Sequence, residues 1–216
     1  MMIFSSRAEA ASLLAKRLAP HYQGKNPLVL AIPRGAVPMA KIIAEELGGD
    51  LDVVLVRKLG APFNEEYAIG SIEEGGWTYL SDYAEESGVP KGYIEREKSA
   101  QMELMRQRRA QYTPARAPID PIGRMVIVVD DGLATGATMI AALHALRAKK
   151  PAKLVCAVPV ASPDTLARIK PYADDVVCLE APPNFFAVGQ FYAEFPQISD
   201  QEVVEILRDF SLHRPS

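Results

Sequence analysis

The sequence predicts an α/β fold, a doubly wound and mostly parallel sheet flanked by helices. Three observations carry this expectation. Short Val/Leu/Ile runs recur along the chain, and they are nearly continuous rather than alternating, as in strands buried on both faces. Segments with helical periodicity lie between them. Several of the runs end in Gly-, Thr- or Asp-rich turns, at the strand ends where open α/β sheets bind ligands.

Taken in order, the N-terminal segment reads as a capped helix. Ser6 with Glu9 three residues on forms a capping box, and Leu14 and Leu18 share one face. "LVLAI" (28–32) is the first strand, 36–47 a helix and "DVVLV" (52–56) the second strand. Residues 68–80 suit a hairpin turning at Gly75–Gly76. Residues 82–118 are long and polar and read as a solvated helical insertion. Its helix spans 92–112, with Tyr93, Arg96 and Glu97 as local neighbours and Arg106, Arg108 and Arg109 making its end basic. "MVIVVD" (125–130), "KLVCAVPV" (153–160) and "DVVCL" (175–179) complete the strands. The helix over 136–149 offers Met139, Leu143 and Leu146 as an apolar face, and two lysines and Pro151 end it. A further helix covers 163–171. With no repeat or flexible linker, residues 1–216 are expected to form a single domain with the insertion inside it.

Composition removes several function classes. A formal charge of −3 gives no support to a nucleic-acid footprint. No apolar run reaches the length of a membrane span, and the first residues lack the apolar centre of a secretion signal, so a cytoplasmic protein is expected. Cys156 and Cys178 sit in Val-rich runs and read as strand thiols. His21, His144 and His213 are scattered without zinc spacing, and Trp77 reads as a packing residue.

The chemistry concentrates in "VIVVDDGLATGATM" (126–139). An apolar strand runs into Asp130 and Asp131, then into a Gly/Thr turn that opens a helix. A helix N-terminus favours a phosphate, Gly136 allows close backbone approach, and Thr135 and Thr138 can donate hydroxyl hydrogen bonds. The adjacent acids then make sense if the ligand carries hydroxyls near its phosphate, because a carboxylate accepts well from a vicinal diol. A sugar phosphate meets both demands; an Asx turn capping the helix is the plainer alternative. The motif is neither a P-loop nor a dinucleotide fingerprint.

This string resembles the signature of type I phosphoribosyltransferases. The resemblance implies that Asp130 and Asp131 hold the ribose hydroxyls of phosphoribosyl diphosphate, and that Ala134, Thr135, Gly136, Ala137 and Thr138 hold its 5′-phosphate. "PRGA" places Arg34 and Gly35 where that family carries its diphosphate loop, and an arginine fork suits such a group. Arg57 and Lys58 are similar to the pair that precedes the family's closing loop, here expected at 59–70 with Gly60 and Gly70 as hinges. "FFAVG" is similar to a stretch of the hypoxanthine–guanine enzymes and makes Phe186 the acceptor-stacking candidate, or else part of a packed hydrophobic loop.

Two departures count against a 6-oxopurine acceptor: Ala134 stands where those enzymes carry an acid, and the expected lysine falls near Ala161. The layout as a whole resembles an uncharacterised bacterial phosphoribosyltransferase-like branch. The resemblance implies the type I phosphoribosyltransferase fold with a C-terminal hood-like segment, and Mg²⁺-dependent transfer to a nitrogen acceptor such as a nucleobase. Asp130, Asp131, Lys58 and Arg34 would act in catalysis, Mg²⁺ would be held mainly through the substrate, and a homodimer is common in the family. The alternative is a regulatory protein that binds phosphoribosyl diphosphate without transferring it.

Overall fold

In the computed structural model, residues 4–81, 84 and 88–213 are described; residues 82, 83 and 85–87 of the expected insertion lie outside the described residues. The elements in chain order are α1 (Arg7–Tyr22), β1 (Leu28–Ala31), α2 (Val37–Leu47), β2 (Asp50–Val53), β3 (Val56–Ala61), β4 (Asn64–Glu73), β5 (Thr78–Leu80), α3 (Lys91–Tyr112), β6 (Met125–Val129), α4 (Ala137–Ala148), β7 (Lys153–Val160), α5 (Pro163–Ile169), β8 (Asp175–Glu180) and α6 (Asp200–His213). Short 3₁₀ turns occupy Lys170–Tyr172 and Val188–Phe191.

Five strands form one parallel sheet in the order β2-β1-β6-β7-β8. Strand alternation divides its side chains between two cores. Val29, Ala31, Ile127, Val129 and Val155 pack with Leu14, Leu18, Ile43 and Leu207 from α1, α2 and α6. On the other face Leu28, Leu30, Val126, Val128 and Cys156 meet Met139, Ile140, Leu143 and Leu146 of α4. Both faces are covered, which is why the strands read as unbroken apolar runs. Ser6 caps α1 as expected by accepting the Glu9 N–H, whereas the Glu9 carboxylate takes the N–H of Ser5.

The run "DVVLV" is divided between two sheets. β2 ends at Val53, and β3 opens an antiparallel three-stranded sheet, β3-β4-β5. Across the junction the Val54 N–H still reaches the Ala31 carbonyl at 3.0 Å, while the Leu55 carbonyl accepts the Glu74 N–H at 3.2 Å. Arg57 and Lys58 therefore lie inside the second sheet rather than at the end of the first. Residues 59–70 are likewise largely strand, β3 turning into β4, and not an irregular loop. Gly60 lies at a register shift, where its N–H donates to Glu97 Oε1 (3.4 Å) and its carbonyl accepts the Tyr93 hydroxyl (2.9 Å). A Cβ at Gly70 would collide with the Tyr79 carbonyl, so close strand approach explains that glycine. The turn after β4 falls at Gly75–Gly76 as expected; the Glu73 carboxylate holds it by accepting the N–H groups of Gly75 and Trp77.

The polar helix α3 lies against this second sheet and buries Met105 and Tyr112. Arg109 pairs with Glu74 through Nε (2.9 Å) and Nη2 (2.6 Å), and Nη2 also donates to the Val53 carbonyl. On its other side the sheet meets α4, where the Ser71 hydroxyl donates to the Ala137 carbonyl at 2.8 Å. Helix α6 was not foreseen. Its sequence carries the signal: Ser199 and Glu202 cap each other's N–H groups, and Val203, Leu207 and Phe210 bury one face.

Cys156 is buried and Cys178 partly buried; both thiols are free, and burial pushes that of Cys178 up to about 11. Trp77 stacks on His144 with centroids 3.6 Å apart. Among the described residues no helix is long and apolar enough to cross a membrane.

Candidate active site

The loop after β6 opens a cavity of about 210 Å³. Asp130, Asp131, Thr135 and Thr138 line it together with Lys58 of β3 and Val188. Gly136 lies in the left-handed region (φ 75°) and has no side chain to cap α4; the Ala137 N–H donates to Thr135 Oγ1 at 3.5 Å, and this helix N-terminus lies at the cavity, a setting that favours an anion. A Cβ at Gly136 would stand 2.9 Å from Thr165 Cγ2, a second reason for glycine there. Of the loop residues named from the sequence, Ala134, Thr135, Gly136 and Thr138 line the cavity with the acidic pair, and Ala137 does not.

The acids differ in their surroundings. Asp130 Oδ1 accepts the Asp131 N–H at 2.9 Å. Burial, then the neighbouring Asp131 charge, raises the Asp130 pKa well above the usual carboxylate value, against the opposing pull of Lys58 and Arg7. Burial raises Asp131 as well, but Arg7 counters it directly. Arg7 is the first residue of α1; its Nε (2.9 Å) and Nη2 (2.8 Å) both reach Asp131 Oδ2. The Tyr192 hydroxyl donates to the Asp131 carbonyl at 2.6 Å.

The expected diphosphate residues are not all brought together. Lys58 faces the cavity, whereas its neighbour Arg57 points the opposite way and donates through Nε to Gln101 Oε1 of α3 at 2.8 Å. The Arg34 guanidinium turns toward α6, with Nη1 3.6 Å from Asp200 Oδ2, and Arg108 holds the same carboxylate at 3.0 Å. Gly35 lies against Asp131, and the Pro33–Arg34 peptide is cis. Phe186 is 88% exposed, its N–H donating to Gln190 Oε1; Val188, two residues on, is the hood residue that lines the cavity. Arg7, Tyr192 and Val188 were missed from the sequence. Arg7 and Asp131 are 124 residues apart, and no local pattern links them.

Residues 3–196 match the family model described as phosphoribosyl transferase domain. The chain is 43% identical over 98% of its length to Rv0571c of Mycobacterium tuberculosis H37Rv, a protein provisionally named a phosphoribosyl transferase, and equally to its counterpart MT0597 in strain CDC 1551. It spans about half of these relatives, 48% of their length. Among solved structures, TT1426 from Thermus thermophilus is similar with a TM-score of 0.82 and 44% identity, covering 97% of this chain and 99% of that one.

Proposed function

Because this chain belongs to the phosphoribosyl transferase domain family, we propose that it transfers the phosphoribosyl group of phosphoribosyl diphosphate to a nitrogen acceptor, a nucleobase or similar base, and releases diphosphate. One observation carries the reading: two adjacent carboxylates, the loop at the N-terminus of α4 and Lys58 line a single cavity. The α4 N-terminus with Thr135 and Thr138 suits the 5′-phosphate, and Asp130 and Asp131 suit the ribose hydroxyls a few ångströms away.

In this reading Lys58 offsets charge on the departing diphosphate, and the acids stay close to the positive charge that develops on the sugar ring. Arg34 and Arg57 would have to leave Asp200 and Gln101 to join Lys58. The residues fit Mg²⁺, which binds through one or two carboxylates plus substrate phosphates rather than in a protein cage; among the described residues no group of three or more ligating side chains forms such a cage. When bound, the ion would neutralise diphosphate charge. Val188, and Phe186 if its loop folds inward, would cover the acceptor.

The test has two arms. Calorimetry is expected to show Mg²⁺-dependent binding of phosphoribosyl diphosphate that Asp130→Asn and Asp131→Asn abolish. A screen of nitrogen bases is expected to release diphosphate. Binding without release across the screen would instead make the protein a phosphoribosyl-diphosphate-binding regulator, and unchanged binding in both variants would overturn the ribose assignment.

A further inference from the structure

We infer that Arg7 is a positioning residue for the ribose subsite: it fixes Asp131 with one carboxylate oxygen occupied and the other presented to a sugar hydroxyl. The inference rests on the proposed reading of Asp130 and Asp131 as the ribose acids. Arg7 could have spread its fork over both oxygens of Asp131, the usual bidentate arrangement. Instead both Nε and Nη2 converge on Oδ2, at 2.9 and 2.8 Å, which leaves Oδ1 to a ligand.

The guanidinium is also held at its remaining nitrogen and on one face. Nη1 donates to the Pro196 carbonyl at 2.6 Å, and the Phe195 ring lies 3.7 Å from the guanidinium carbon. Phe195 packs in turn on Tyr192, ring centroids 4.9 Å apart, and the Tyr192 hydroxyl holds the carbonyl of Asp131 itself. The Arg7 side chain is 11% exposed and that of Asp131 15%. Asp131 is therefore gripped at its carboxylate and at its backbone by one aromatic–arginine unit. A planar, stacked guanidinium supplies this; an ammonium supplies the charge without the fork or the stacking.

An ion pair that merely stabilises the fold would have no bearing on which sugars bind, whereas a positioning role makes hydroxyl recognition depend on Arg7. The experiment compares binding of ribose 5-phosphate with its 2,3-dideoxy analogue, by calorimetry, in wild type, Arg7→Met, Arg7→Lys and Tyr192→Phe. Wild type is expected to prefer the hydroxylated sugar. In Arg7→Met that preference falls by roughly ten-fold or more, the scale of one charged hydrogen bond, while affinity for the dideoxy sugar stays within about two-fold. Arg7→Lys recovers part of the preference, and Tyr192→Phe loses a smaller part. Should Arg7→Met fail to fold, Arg7→Lys and Tyr192→Phe decide the matter. Full preference in the variants, or equal loss for both sugars, overturns the inference while the ribose assignment stands. Absence of preference in wild type overturns the ribose assignment itself, and the inference with it.

Discussion

The hydroxyl of Thr165, carried by α5, donates to the carbonyl of Ala134 in the cavity-lining loop after β6 at 2.7 Å. Thr165 is buried, and its Oγ1 also accepts from Ser162 Oγ, so the loop is tied from behind to a neighbouring helix. Thr165→Val keeps the shape and removes the tie. The expected cost is about 1 kcal/mol of stability, a fall of about 2–4 °C in Tm for a chain of this size. Affinity for inorganic phosphate should drop by roughly three- to ten-fold as the loop loosens. Unchanged phosphate affinity in calorimetry would show that the tie plays no part in holding the loop.

Gly35 lies where a side chain cannot. A Cβ there would collide with Asp131 Oδ2 and stand 3.0 Å from Arg7 Nη2, two groups fixed in place by one another. Gly35→Ala is expected to push Asp131 off its position, weaken binding of phosphoribosyl diphosphate by more than about ten-fold and cost about 1–3 kcal/mol of stability. Calorimetry and thermal melting read the two effects separately. A variant that binds normally would mean the acidic pair can relax without loss.

Asp130 sets a pH signature. Its pKa in the fold lies well above the ordinary value of 3.8. Between those two values the folded chain keeps a proton that the unfolded chain has released, so stability falls as pH rises through that window. Asp131, raised by burial though opposed by Arg7, adds in the same direction. Asp130→Asn should therefore flatten the decline of Tm with pH above about 4 and melt higher than wild type at neutral pH, while losing binding of phosphoribosyl diphosphate. Calorimetric melts from acid to neutral pH test this; parallel curves for the two proteins would contradict it.

Arg109 anchors α3 to both sheets. It pairs with Glu74 in the turn that follows β4 of the second sheet, donates to the Val53 carbonyl in the first, and lies 3.8 Å from buried Asp52. Arg109→Met should cost about 2–4 kcal/mol, at the lower part of that range because Glu74 is partly exposed. Urea unfolding measures it. A loss below about 0.5 kcal/mol would mean that the network adds nothing beyond a surface pair.

Most of the five-stranded sheet was legible because burial on both faces leaves Val, Leu and Ile no polar interruption. The cavity-lining loop after β6 was legible because its parts are contiguous, from Asp130 to Thr138. The division of "DVVLV" was not, since Val54 and Leu55 are as apolar as their neighbours and no Gly or Pro marks the crossing between sheets. Which way Arg57 and Lys58 point depends on that crossing, so their separation was hidden with it. Arg7 and Asp131 meet only through tertiary packing, which no local spacing encodes. Helix α6 was readable from Ser199, Glu202 and the spacing of Val203, Leu207 and Phe210.

The break between β2 and β3 has a mechanical meaning. Lys58 is carried by a sheet that shares no ladder with the strands leading to Asp130 and Asp131. The lysine and the acids are thus mounted on separate frames, joined by the two residues Val54 and Leu55 and by the packing of α3 and α4. No strand pair of the main sheet includes β3, so the distance from Lys58 to the acids is set by the Val54–Leu55 crossing and by helix packing rather than by a strand ladder.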